Sequence, residues 1–156
     1  MKTRLFMLAA VVLTFVAASM AADDPFFGTW KVNLAKSNYA PGYAPKSETI
    51  RVIALENGMF KETIDGIDAS GKTYHKECTA KYDGKTYSIP NDPIVDAITF
   101  RRIKPNTIEW MVTKKGKEVN SGQAILSNGG KTMTSTDKDT DANGKSAVSV
   151  IVREKQ

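Results

Sequence analysis

Phe26-Phe27-Gly28-Thr29-Trp30-Lys31-Val32-Asn33 is the stretch on which the reading of the chain turns, because its Gly-x-Trp opens a first β-strand. Working outward, turn signals recur to the far end at Glu56-Asn57-Gly58, Ala69-Ser70-Gly71, Asp83-Gly84, Lys115-Gly116, Asn128-Gly129-Gly130 and Asn143-Gly144. Asn-Gly and Asp-Gly accept the positive φ angles of the tight turns whose twist matches paired strands, so a spacing of about a dozen residues describes an antiparallel meander. The segments between are rich in Val, Ile, Thr and aromatics and predict strands over 27–33, 47–55, 59–65, 72–82, 85–89, 96–103, 106–114, 117–126, 131–137 and 146–154. No convincing apolar repeat of 3.6 residues runs for a helical length. Short strands in up-and-down order expose their edges unless the sheet closes on itself. The fold class expected is therefore all-β, an antiparallel up-and-down β-barrel of 8–10 strands.

Ahead of that stretch, residues 1–21 have the build of a secretory signal: Lys2 and Arg4, an apolar run from Leu5 to Ala18, then Ser19-Met20-Ala21 as a small-x-small cleavage site. The run is shorter than the ~20 residues a spanning helix needs, and Asp23-Asp24 follow at once, so no stable membrane anchor is expected after cleavage. Residues 22–156 then form one domain, large enough to bury a core without staples. Export combined with the single Cys78 leaves packing and strand pairing to hold it, and the short leader without disulfides suits a bacterium, secreted or periplasmic.

Composition excludes several function classes. Without Lys2 and Arg4 the net charge falls from +5 to +3, and the lysines are interspersed with acids rather than gathered in a phosphate-binding stripe, so nucleic acid is not an expected partner. His75 and Cys78 lie three apart, on opposite faces of an extended strand, and no second histidine exists to act as a base, so no catalytic residues are assigned. His75 reads as a solvated surface residue, with axial ligation of haem as its remaining use. Asp139-Thr140-Asp141-Ala142-Asn143-Gly144 imitates half of a calcium loop, but Val150 stands where the closing glutamate belongs, and the same residues suit a hairpin turn. No metal and no cofactor is expected.

With these residues in view, the chain resembles the calycins, the superfamily of lipocalins, fatty-acid-binding proteins and avidins, and most of all the small secreted lipocalin-like proteins of bacteria. Gly28, Thr29 and Trp30 on the first strand and Arg153-Glu154-Lys155 on the last carry the resemblance. It implies structural barrel closure by Gly28, Trp30 and Arg153, with the arginine stacked on the tryptophan at the closed end. The chain departs from the fatty-acid-binding pattern in two places. Residues 34–46, broken by Pro41, Gly42 and Pro45, replace a two-helix lid with a looped mouth. Ile151 and Arg153 stand where an Arg-x-Tyr pair would hold a carboxylate.

Strand alternation gives an independent view of the interior. Ile108, Trp110 and Val112 share one face; so do Ile98, Phe100 and Arg102; so do Phe60, Glu62 and Ile64; and Tyr74, Cys78, Ala80 and Tyr82 share theirs with Lys76. Charges on apolar faces are expensive unless paired or solvated, and they mark where a polar ligand group would be held. The expected ligand-binding set is thus Phe60, Glu62, Tyr74, Lys76, Phe100, Arg102 and Trp110. Arg102 and Lys76 take the polar end of a small apolar or amphipathic molecule, the aromatics enclose its body, and Glu62 is the one inward acid. The function expected is a monomeric, non-enzymatic barrel binding that molecule in its lumen. The alternative is an interaction or scaffolding module whose lumen is filled, with an internal Glu62–Arg102 ion pair, and whose partners meet a rim of Tyr39, Pro41, Tyr43 and Pro45.

Overall fold

The computed structural model describes residues 24–141 and 143–156; the expected leader, 1–21, lies outside the described residues. Ten strands follow one another: β1 (Gly28–Val32), β2 (Ser47–Ala54), β3 (Phe60–Ile67), β4 (Thr73–Ala80), β5 (Asp83–Ser88), β6 (Ala97–Lys104), β7 (Thr107–Lys114), β8 (Lys117–Ser127), β9 (Thr132–Thr140) and β10 (Ser146–Lys155). They form one antiparallel sheet in the order β4-β3-β2-β1-β10-β9-β8-β7-β6-β5, an all-β, nearly closed barrel. Every expected strand is present within a few residues of its expected bounds. The turns between them use the left-handed backbone that Asn-Gly supplies, as at Asn57 (φ 57°) and Gly58 (φ 71°). Among the described residues, no helix is long and apolar enough to cross a membrane.

First and last strands meet, pairing Trp30 with Lys155 and Val32 with Arg153. Beyond them the seam continues through the irregular segment after β1, where Asn38 bridges to Val150 and the Ser37 hydroxyl accepts from the Val152 amide at 2.9 Å. The sheet's true edges are β4 and β5, neighbours in sequence that approach at their shared turn without pairing along their length. The barrel is therefore continuous where the chain ends meet and open where two consecutive strands diverge.

Alternation fills the closed end. Phe26 and Trp30 are buried with Val52, Phe60, Phe100 and Leu126. Phe60 stacks on Tyr82 with centroids 4.4 Å apart and meets Phe100 edge-on at 5.2 Å. Such contacts each add roughly 0.5–1.5 kcal/mol beyond the area they bury. Trp30, fully buried, donates its indole N–H to the Phe26 carbonyl at 2.9 Å, so the segment entering β1 is tied into this floor.

The cations at the closed end are not the expected ones. Arg153 does not stack on Trp30; Lys155, two residues on and directly opposite in register, places its ammonium 5.2 Å from the Trp30 ring. Gly28 makes this possible, since its φ of 129° is disfavoured for side-chain-bearing residues and a Cβ there would collide with the Lys155 chain. Arg102, expected in the lumen, instead sits beneath the floor, 4.4 Å from the Tyr82 ring and 5.1 Å from that of Phe26, ion-paired to Asp24. It keeps the inward face of β6 but falls one step past Phe100, below the aromatic layer. Replacing Arg102 with alanine is expected to lower stability by about 1–3 kcal/mol through the lost stacking and the orphaned Asp24, measured as a reduced urea midpoint.

Candidate functional site

Above the floor the barrel is hollow. A cavity of about 1390 Å³ runs to the mouth, which is ringed by the β1–β2, β3–β4, β5–β6, β7–β8 and β9–β10 connections. Its two halves differ. On β6 and β7 the wall is Ile98, Phe100, Ile108, Trp110 and Val112; on β2, β10, β9 and β8 it carries Glu48, Arg153, Ser135, Asp137 and Asn120. The division follows from alternation, since at this level the inward positions of the neighbouring strands β6 and β7 are apolar, while those of β2, β10, β9 and β8 mix the polar groups with Ile50, Ile151, Met133 and Ala124.

Two glycines keep the hollow open. Trp110 faces Gly122 across the β7–β8 ladder, and Tyr74 faces Gly66 across β3–β4. In each case the ring lies over the glycine so closely that a Cβ would overlap it. Both large side chains therefore lie along the wall instead of projecting across the lumen. The Trp110 indole donates to Asn120 Oδ1 at 2.7 Å, and the Asn120 amide donates in turn to Asp139 Oδ1 at 2.9 Å.

Arg153, 5% exposed, is the cation of the deep lumen. Its Nε and Nη2 donate to Glu48 Oε1 at 3.1 and 2.6 Å, and its Nη1 donates to the Ser135 hydroxyl at 3.0 Å. The Tyr74 hydroxyl donates to the other oxygen of Glu48 at 2.9 Å. Burial works against the Arg153 charge, but Glu48 and Asp137 beside it more than offset this and leave its pKa above the ordinary value. Two polar atoms near this network, Tyr39 Oη and Asp137 Oδ1, are shut off from solvent with no hydrogen-bond partner among the described residues.

Glu62 is in the lumen as expected but has no arginine to pair with, because Arg102 is below the floor. Burial chiefly, with repulsion from Glu48 and Asp137 and partial relief from Arg153, pushes its pKa up to about 7. Burial also raises Asp137, with the Ser135 hydroxyl and Arg153 acting the other way, and takes the Tyr39 hydroxyl up to about 12. The Cys78 thiol, beside Glu62, is held well above its ordinary range by burial and by that carboxylate, which leaves it unreactive at neutral pH.

Of the expected ligand-binding set, Glu62, Tyr74, Lys76, Phe100 and Trp110 line the cavity. Lys76 is exposed, with its ammonium 5.8 Å from the Tyr74 ring centroid. Phe60, 1% exposed, belongs to the floor, and Arg102 lies beneath it, so the structure brings neither to the cavity wall. Arg153, assigned to closure, is instead the lumenal cation. Glu62 is also not the one inward acid: Glu48, Asp137 and Asp139 face the cavity too. Alternation could have found Glu48, two and four residues before the buried Ile50 and Val52. Thr132–Thr140 offers a single apolar inward residue, Met133, and so gave no signal for the face that holds Ser135 and Asp137.

Outside the lumen, His75 faces solvent, its Nδ1 lying 2.7 Å from Asp65 Oδ1. The calcium-like segment ends in a turn in which Asp141 Oδ1 accepts from the amides of Asn143 and Lys145, both at 2.9 Å.

No protein-family model and no curated protein matches the sequence. Solved structures do match in fold. The fluorescent protein UnaG aligns at 16% identity over 84% of this chain and 97% of its own, with a TM-score of 0.58. A Schistosoma mansoni fatty-acid-binding protein in complex with arachidonic acid aligns at 10% identity over 85% and 96%, with a TM-score of 0.58. Zebrafish ileal bile-acid-binding protein complexed with cholic acid aligns at 12% over 85% and 99%, with a TM-score of 0.50. At these identities the likeness is one of fold: the chain shares the antiparallel β-barrel fold of these proteins.

Glu62 generates a prediction. Because its folded pKa lies above the unfolded one, its protonated form favours the folded state, and stability falls as pH rises from about 4.5 through about 7. Glu62→Gln is expected to remove this slope and to be more stable than the parent at pH 8 by about 1–3 kcal/mol. Urea unfolding at pH 5 and pH 8 measures both effects.

Proposed function

We propose that the protein is a non-enzymatic carrier, one of the small exported lipocalin-like barrels of bacteria, holding a small amphipathic molecule in its lumen. The observation that carries this reading is the 1390 Å³ cavity with one apolar and one polar wall. A volume of that order exceeds what a single drug-sized ligand fills, and a hollow so large forfeits packing that a purely structural barrel would keep. The same hollow counts against a filled-lumen scaffold. That two structures of like fold are described in complex with arachidonic acid and with cholic acid supports a carrier without naming this one's cargo.

Uptake of a neutral apolar dye tests the reading directly. Nile red is expected to bind saturably with enhanced, blue-shifted emission, and Val112→Trp, which places an indole inside the apolar wall, is expected to weaken uptake about tenfold or more. Absence of saturable uptake by folded protein would refute the carrier.

We further propose export to a periplasm or the exterior, as a monomer without a membrane anchor. Lys2, Arg4, the run to Ala18 and the Ser19-Met20-Ala21 site support this reading. Intact mass of protein recovered outside the cytoplasm is expected to correspond to a chain beginning at Ala22; a full-length mass would oppose it.

A further inference from the structure

The polar wall is arranged for a charge opposite to the one the fold's fatty-acid-binding members suggest. We propose that the lumen selects a molecule whose polar end is a cation, an amine or amidine-like nitrogen bearing N–H donors, on an apolar body. The proposal rests on the carrier reading and deepens it.

Three observations converge. First, the deep cation is already taken. Arg153 gives Nε and Nη2 to Glu48 and Nη1 to Ser135, so its charge is already paired and a ligand carboxylate would have to share the guanidinium with Glu48 or displace it. Removing one partner of such a pair leaves an uncompensated buried charge, a strongly unfavourable exchange. Glu48 is held in place from its other side by the Tyr74 hydroxyl.

Second, acceptors are in surplus. Glu62 makes no side-chain hydrogen bond or ion pair among the described residues, and Asp137 Oδ1 is buried without a partner; Tyr39 Oη, also buried without one, can donate or accept and so favours neither charge. A buried acceptor left unmatched costs free energy that a donor arriving with the ligand recovers. An ammonium brings three donors and an amidinium four, whereas an ionised carboxylate brings none.

Third, the charge balance inside is negative. From β2, β3, β9 and β10 the groups facing this region are Glu48, Glu62, Asp137, Asp139 and Arg153, with Tyr39 from the mouth loop and Tyr74 from β4, while Lys114, Lys115 and Lys117 line the cavity at the β7–β8 turn. On these strands one guanidinium thus stands against four carboxylates. Lys76 also lines the cavity, but it is exposed, so solvent screens its charge more than that of the buried groups. The raised pKa values of Glu62 and Asp137 agree with this: burial is the main cause, the neighbouring carboxylates add to it, and Arg153 relieves it only in part.

Matched single-chain amphiphiles separate this proposal from the carrier reading beneath it. Decylammonium, decanoate and 1-decanol share one apolar body and differ in the head, and calorimetric titration at pH 7.5 below their aggregation limits compares them. Decylammonium is expected to bind about tenfold or more tightly than decanoate, with decanol between them. Glu62→Gln combined with Asp137→Asn is expected to bring the amine and carboxylate within about threefold, with saturable decanol binding retained as the sign of an intact lumen; Glu62→Gln alone gives an intermediate ratio and serves if the double variant does not fold. Decanoate binding as tightly as the amine overturns the charge assignment and leaves the carrier standing. If none of the three binds to folded protein, the carrier reading and this inference fall together.

Discussion

Trp30 is the side chain on which the barrel's closure depends. Its backbone pairs with Ile50 on β2 and Lys155 on β10, so it sits in the seam where the first and last strands are joined. Its indole N–H is satisfied by the Phe26 carbonyl and its ring is capped by Lys155, leaving no part of it in water. A large apolar body with one satisfied polar tip gives the seam a register that a ladder of short, alternating strands would hold only weakly. The β4 and β5 edges lack any such anchor, and there the sheet stays unpaired.

Fixing the seam at one end frees the other from any packing duty. Phe26, Phe60, Tyr82 and Phe100 supply the core that a chain of this size needs, and they do so within the lower part of the tube. The upper part can then hold groups that no core would tolerate. Lone buried charges are among the most expensive features a fold can carry, so Glu62 and Asp137 mark a place where stability yields to some other requirement. The glycines at 66 and 122 act in the same direction, because each lets an aromatic ring lie flat and so enlarges a space that tighter packing would have closed.

How far this was legible in sequence depended on whether a face announced itself by contrast. Strands such as Ile108-Glu109-Trp110-Met111-Val112 and Ile98-Thr99-Phe100 alternate sharply, and their inward faces, together with the turns between strands, follow from period two alone. What alternation does not supply is height along the barrel. Arg102 and Arg153 both point inward, and the two were exchanged in role because the pattern fixes a side, not a level. Arg102 follows Phe100 toward the closed end; Arg153 precedes Lys155 and so lies above the Trp30 layer. The inward acids of β9 were invisible for another reason, since Thr-Ser-Thr-Asp-Lys-Asp has polar residues on both faces and period two carries no information there.

Height also decides the electrostatics. Near the mouth a carboxylate is solvated and costs little, and in the floor it could not survive; Glu48, Glu62 and Asp137 occupy the level between, lined by protein yet facing open space. At that level an occupant matters twice over. An apolar body against β6 and β7 restores contacts that the hollow withholds, and a donor-bearing head relieves acceptors that the wall leaves unmatched. Both gains would belong to the folded protein alone, so binding of a donor-bearing molecule at this level would be thermodynamically linked to stability, and Glu62 would contribute to both with opposite sign.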